Sequence, residues 1–120
     1  MFALTPQHRF FLYRHWCDMR KGFDGLSGIV RNELNADPLS GDVFVFINRS
    51  RTTMKLLIFE NDGYLLYHKR LEAGRFQNLV KNQTDDDIAA EVIDYHRLEL
   101  LIQGVDLYHL KYRKRYKKRA

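Results

Sequence analysis

The stretch from Ser40 to Leu71 constrains the fold of this chain more than any other. Three apolar, β-prone runs, 43–47, 53–59 and 64–71, are separated by two polar turns. The run from Val43 to Ile47 is apolar at every position, which predicts a strand covered on both faces. Asn61-Asp62-Gly63 predicts a hairpin turn, because Asp-Gly accepts the positive φ of tight hairpins. Runs joined by loops this short fold as an antiparallel meander. An up-down-up meander brings its first turn and the end of its third strand to one edge. That edge collects Arg49, Arg51, Lys69 and Arg70, with Lys55 pointing from the second strand close by. The opposite edge collects Asp42, Glu60 and Asp62.

The remaining segments supply the elements around the meander. Arg9 to His15 is aromatic-rich and predicts a first strand. Asp18 to Phe23 follows as a turn. Leu26, Ile29, Val30 and Leu34 recur at helical spacing, so a short helix capped by Asp24 is expected to run to Leu34. Gly25 and Gly28 weaken it by about 1 kcal/mol each relative to Ala, so either packing holds it or the glycines serve a close approach. Ala73-Gly74 ends the meander, and residues 77–89, with Asp85-Asp86-Asp87, read as a loop. Glu91 to Ile93 predicts a last short strand. Asp94 then caps a helix over 95–103, with Leu98, Leu101 and Ile102 inward and Gly104 at the C′ position. The expected class is α+β. Residues 1–110 form a small single domain, an antiparallel β-meander of about four or five strands packed with two short helices. A disordered basic C-terminal tail occupies 111–120.

Charge is unevenly placed. The 120 residues carry a formal +5, but residues 111–120 hold 7 Lys or Arg and no acid. The other 110 residues hold 13 basic and 15 acidic side chains, a net of −2. A slightly acidic body therefore carries a cationic tail. With 45% hydrophobic and 13% aromatic residues, the body has the material for a core. A single cysteine, Cys17, excludes an internal disulfide framework. No run is apolar enough to span a membrane, and the N-terminus lacks the apolar core of a secretory signal, so the expected location is cytoplasmic.

Several local motifs fail on inspection. Gly22-Phe23-Asp24-Gly25 has the GxxG spacing of a KH loop, but an inner Asp repels phosphate. Lys21-Gly22-Phe23 opens like an RRM signature and then enters a helix. Neither a Walker A nor a GxGxxG sequence occurs. The five histidines are scattered, and Cys17 has only His15 nearby in sequence, so no metal or nucleophile set assembles. No catalytic residue and no cofactor is expected.

The landmarks together resemble a known family, the small TnpB accessory protein (Orf2-like) of the bacterial insertion-sequence family IS66. The resemblance rests on the run from Asp18 to Leu26, on Gly41-Asp42-Val43-Phe44-Val45-Phe46, on Lys55-Leu56-Leu57, and on the run from Lys69 to Phe76. Leu98, Leu101 and Gly104-Val105-Asp106 match the closing helix and turn. Phe59 stands where many relatives carry Trp, and Gln77-Asn78 stands where many carry a Trp-Pro stretch. The resemblance implies a protein encoded beside a larger DDE-type transposase and needed for its transposition. It supplies no catalytic residues.

The expected function is therefore that of a non-enzymatic accessory factor for transposition. Its expected partners are DNA at the element ends and the co-encoded transposase, with no membrane partner and no assigned oligomeric state. Phosphate contacts are expected from Arg20, Lys21, Arg49, Arg51, Lys55, Lys69, Arg70 and Arg75 in the body. Lys114, Arg115, Lys117 and Lys118 add contacts from the tail, with Tyr112 and Tyr116 placed to stack on bases. The alternative is a protein-interaction module that docks on the transposase without touching DNA.

Overall fold

The apolar run at 43–47 lies in the middle of a five-stranded sheet, in a computed structural model that describes residues 4–79, 89–107, 109 and 111–118. The elements in chain order are β1 (Phe10–Tyr13), α1 (Phe23–Asn32), β2 (Val43–Ile47), β3 (Thr53–Glu60), β4 (Gly63–Arg70), β5 (Ala90–Ile93) and α2 (Tyr95–Gln103). The sheet order is β4-β3-β2-β1-β5. All five residues of β2 are buried, as expected of a strand with a layer on each face. The meander β2-β3-β4 is antiparallel throughout, and β5 pairs antiparallel with β1. One pairing departs from the meander expectation. β1 and β2 run parallel, because α1 crosses between them and returns the chain to the same end of the sheet.

Strand alternation divides the core into two layers. On one face Phe44, Phe46 and Leu57 pack against Leu26, Ile29 and Val30 of α1, with Tyr13 and Cys17 at the margin. On the other face Val43, Val45, Met54, Leu56 and Ile58 pack against Leu98 and Leu101 of α2 and against Phe76. Phe76 lies in no helix or strand, yet it is fully buried. It is the plug that the post-meander loop contributes to the second layer.

The ends of the elements differ from expectation in detail. Asp24 does not cap α1: the N-cap is Gly22, with no side-chain bond, and Asp24 sits in the first turn. Its carboxylate there still faces the positive end of the helix dipole. The helix stops at Asn32 rather than Leu34. The β3–β4 loop is the two residues Asn61-Asp62, and positive φ falls on Asn61 (56°) rather than on Gly63. The caps of α2 are as expected. Asp94 accepts from the Arg97 backbone N–H at 2.8 Å, and Gly104 closes the helix at φ 89°. Gln77 is buried rather than part of a solvated loop. Asp85-Asp86-Asp87 lies outside the described residues.

Residues 111–118 form no helix or strand beyond an isolated bridge between Val105 and Tyr112. Lys111 to Arg115 nevertheless follow the body closely. The Asp106 N–H donates to Lys111 O at 2.7 Å, and the Arg113 N–H donates to Gly104 O at 2.6 Å.

Two buried acids of the α1 layer make the fold sensitive to alkali. Burial pushes the Cys17 thiol from 9.0 up to about 11. Burial and the 2.7 Å bond from Tyr13 Oη–H to Glu33 also hold the Tyr13 phenol well above its ordinary value. A folded pKa above the unfolded one gives stability that is complete below the unfolded pKa and lost as pH rises through the folded one. Urea midpoints are therefore expected to fall from pH 9 upward, and Cys17→Ala should flatten the part of that fall below about pH 11.

Candidate nucleic-acid interface

The β2–β3 turn and the end of β4 do share one edge, as the ladder requires: Thr53 pairs with Arg70, and the Leu71 N–H donates to Thr52 O at 2.7 Å. Asn48 shapes that turn by accepting from the Thr52 and Thr53 N–H groups through Oδ1. Arg51 takes a left-handed conformation there, with φ 59°. Its carbonyl accepts from the Phe76 N–H at 2.7 Å, and its Nη1 lies 3.4 Å from Phe76 O. The turn is thereby tied to the buried plug of the second layer.

The C-terminal segment arrives at the same place. In an extended chain alternate residues face alternate sides. Arg113 and Arg115 are half-buried against the body, whereas Tyr112, Lys114 and Tyr116 are exposed. The Arg115 guanidinium lies over the Phe76 ring, 5.3 Å from its centroid, and donates to Arg75 O at 3.1 Å and Leu101 O at 3.5 Å. Arg113 Nε donates to Arg75 O at 3.3 Å. Gly74 makes the approach possible. It sits at φ 79°, and a Cβ there would overlap Lys114 O.

A polar knot fixes the turn that redirects the chain. Asp106 Oδ1 accepts from Gln77 Nε2 at 3.1 Å and from the His109 N–H at 3.0 Å. Gln77 Oε1 accepts from the Leu107 N–H at 2.7 Å. Both side chains are buried, and each offers the other a hydrogen bond that water would otherwise supply.

The result is a cationic cluster assembled from three segments. Arg51 is held below its ordinary pKa by burial and by the neighbouring charges of Arg75 and Arg113. Arg115 is depressed by burial and by Arg113. Like charges gathered this closely are unfavourable alone and gain when an anion joins them. Arg75, Lys111, Arg113 and Lys114 line an open groove beside Gly74, with Asp106 as its one acid. A second groove lies along the tail, lined by Lys69, Arg70, Arg115 and Tyr116 together with Glu72. Tyr112 and Tyr116 are 83% and 64% exposed, enough to offer their rings to a base.

The predicted cations do not all reach this face. Lys55 points into the α1 layer, is 5% exposed, and donates through Nζ to Met19 O and Lys21 O, each at 2.7 Å. It is a buried clamp on the turn before α1, not a rim residue. Arg20 and Lys21 lie on that same turn, away from the Phe76 side. Arg20 is engaged by Asp18, whose carboxyl is lowered to about 2 chiefly by that hydrogen-bonded pair. Lys69 and Arg70 are neighbours on a strand and project to opposite faces. Arg70 pairs with Glu72 at 3.0 Å. Arg49, Arg75, Lys114, Lys117 and Lys118 are exposed. Arg113 and Lys111 were absent from the sequence-based set. The alternation of Lys-Tyr-Arg-Lys-Arg-Tyr at 111–116 was the signal for a two-sided segment.

Residues 8–112 match the family described as IS66 Orf2-like protein. The chain belongs to the IS66 Orf2-like family. The uncharacterized protein y4hO of Sinorhizobium fredii is 35% identical over 92 residues, 77% of this chain and 76% of its own length. The uncharacterized protein y4jC of the same organism is 37% identical over 59 residues, about half of each chain. No solved structure matches. Membership of the IS66 Orf2-like family implies an accessory role in the transposition of an insertion sequence. That match takes in the sheet, both helices and the whole receiving segment around Gly74, and it ends at Tyr112. Among the described residues no helix is long and apolar enough to cross a membrane.

Two substitutions separate clamp from cluster. Lys55→Met removes the donor from two carbonyls and is expected to cost about 1–3 kcal/mol of stability, read by urea unfolding, while leaving the salt dependence of any DNA binding unchanged. Gly74→Ala is expected to cost about 1–3 kcal/mol and to expose Lys111–Arg115 to trypsin, because neither the positive φ nor the space beside Lys114 O admits a Cβ.

Proposed function

We propose that this IS66 Orf2-like protein serves transposition by holding element DNA through the phosphate backbone on the face where the tail meets the meander. The observation that carries the reading is the convergence of three segments, with Arg51 Nη1 3.4 Å from Phe76 O and Arg113 Nε 3.3 Å from the carbonyl of Arg75, and with exposed Tyr112 and Tyr116 beside them. Phosphates relieve the mutual repulsion of the cluster, and tyrosine faces stack on unpaired bases. Such a surface gives affinity with little base discrimination, since phosphate contacts carry no sequence information directly. Arg115 acts as the anchor of the segment, and Lys111, Lys114, Lys117 and Lys118 are the cations free to move onto a backbone.

A second reading assigns docking on the co-encoded transposase to the α1 side. Phe23 is 47% exposed and stacks on Tyr64 with ring centroids 6.5 Å apart, and Trp16 is 37% exposed. Both readings hold together if one face takes DNA and the other the transposase. Capture of the transposase that survives nuclease treatment, and is lost with Phe23→Ser, supports the second contact.

The DNA reading is tested by titrating terminal-repeat and scrambled duplexes at several salt concentrations. Replacing Lys111, Lys114, Lys117 and Lys118 with Ala is expected to weaken both duplexes alike and to reduce the salt slope by about 3 to 4. An unchanged slope removes these residues from the DNA contact.

A further inference from the structure

β4 is an edge strand of unusual quality. All eight of its residues pair with β3 without a break, from Thr53↔Arg70 to Glu60↔Gly63. It contains no proline and no bulge, and residues 64–67 read Tyr-Leu-Leu-Tyr. Protein edges are ordinarily blunted by shortness, proline, bulges or charged side chains; β4 has none of the first three, and its charges, Lys69 and Arg70, stand only at its last two positions. Among the described residues nothing hydrogen-bonds to its outer side. The opposite edge, β5, has four residues and two adjacent exposed positions, Glu91 and Val92, so it is the poorer template.

The ladder states which groups face outward. The Leu71 N–H bonds to Thr52 O, and Glu60 and Gly63 close the two-residue loop. Narrow and wide pairs alternate between those points, so Gly63, Leu65, Tyr67 and Lys69 bond inward to β3. Tyr64, Leu66, His68 and Arg70 turn their N–H and C=O groups to the outside. A new antiparallel neighbour must therefore pair even-numbered residues with outward groups of its own.

We infer that the outer edge of β4 binds the same edge of a second copy of this chain, antiparallel about a two-fold axis at Leu66. Charge selects the partner and disfavours one of the two neighbouring registers. β4 is preceded by Glu60 and Asp62 and ends in Lys69 and Arg70, so the strand is polarised from acid to base. Antiparallel self-pairing sets acid against base twice. With Leu66 opposite its own copy, Asp62 meets Arg70 of the second copy. Tyr64 then meets His68, and Leu65, 36% exposed, meets Tyr67. A shift of the axis to Tyr67 places Asp62 opposite Glu72, which like charge disfavours. Arg70 is available for the exchange because its pair with Glu72 is exposed, at 73% and 61%, and weak for that reason. The dimer is a ten-stranded continuous sheet with α1 layers on one side and the tail-bearing faces on the other.

Sedimentation equilibrium of nucleic-acid-free protein over a concentration series tests this. The expected result is a dimer of twice the 14.4 kDa chain mass. His68→Pro deletes an outward N–H without removing a β3 bond, so it is expected to abolish the dimer while circular dichroism stays that of the folded chain. Asp62→Lys is expected to weaken association at least tenfold, and the double change Asp62→Lys with Arg70→Glu to restore it. This charge pair reads the interface even if the proline variant fails to fold. A monomer at every concentration overturns the inference. So does a dimer indifferent to the Asp62 and Arg70 exchange, and so does an edge that pairs only when the transposase is added.

Discussion

The contact between the C-terminal segment and the loop at Gly74 holds the cationic face together. Gly74 has no Cβ, so Lys114 O can lie against it, and that approach lets Arg115 cover the Phe76 ring. Phe76 in turn is buried in the α2 layer and bonded to Arg51 through its backbone. The β2–β3 turn, the post-meander loop and the chain's end are thus three parts of one contact. Without it, Arg51 and Arg75 would be ordinary surface cations and 111–118 a separate charged strand. With it, like charges are held close by interactions that do not depend on an anion. That is the physical condition for preorganised charge.

The two faces of the sheet spend their lysines and arginines differently. On the α1 side, Lys55 gives up solvent to fasten the turn at 19–21, and the cost of burying its charge is offset by two short charge-assisted bonds. Arg20 is neutralised by Asp18 on the same turn. On the other side, Arg113 has a carboxylate only at 3.9 Å, and Arg51 and Arg75 face cations. The same residue types therefore serve as internal fasteners on one face and as excess charge on the other. A cationic composition alone does not distinguish these roles.

Much of the frame was legible in the chain. The unbroken apolarity of Val43–Ile47 marked the central strand, and Asp94 with Gly104 marked both ends of α2. Strand parity placed the β2–β3 turn beside the end of β4. What escaped was long-range. The parallel pairing of β1 with β2 depends on where α1 packs, and nothing local in Phe10–Tyr13 specifies it. Lys55 looked like a rim cation because burial of a lysine depends on carbonyls 34 and 36 residues away. Asp24 looked like a cap because the helix start is set by the clamped turn before it. The polar knot of Gln77 and Asp106 joins residues 29 apart, and only the fold brings them together. The tail's alternation was visible as a pattern, but its docking surface was not.

Amide hydrogen exchange of the free protein at Arg113 tests the packed cationic face most directly. Its N–H donates to Gly104 O at 2.6 Å, in a segment whose composition alone predicts exchange at the rate of an unstructured peptide. A docked segment predicts protection at Arg113 that is lost together with protection at Phe76 when Gly74 is replaced by Ala. Exchange of Arg113 at the unstructured-peptide rate in the wild-type chain would contradict it, and would separate the tail from the rim.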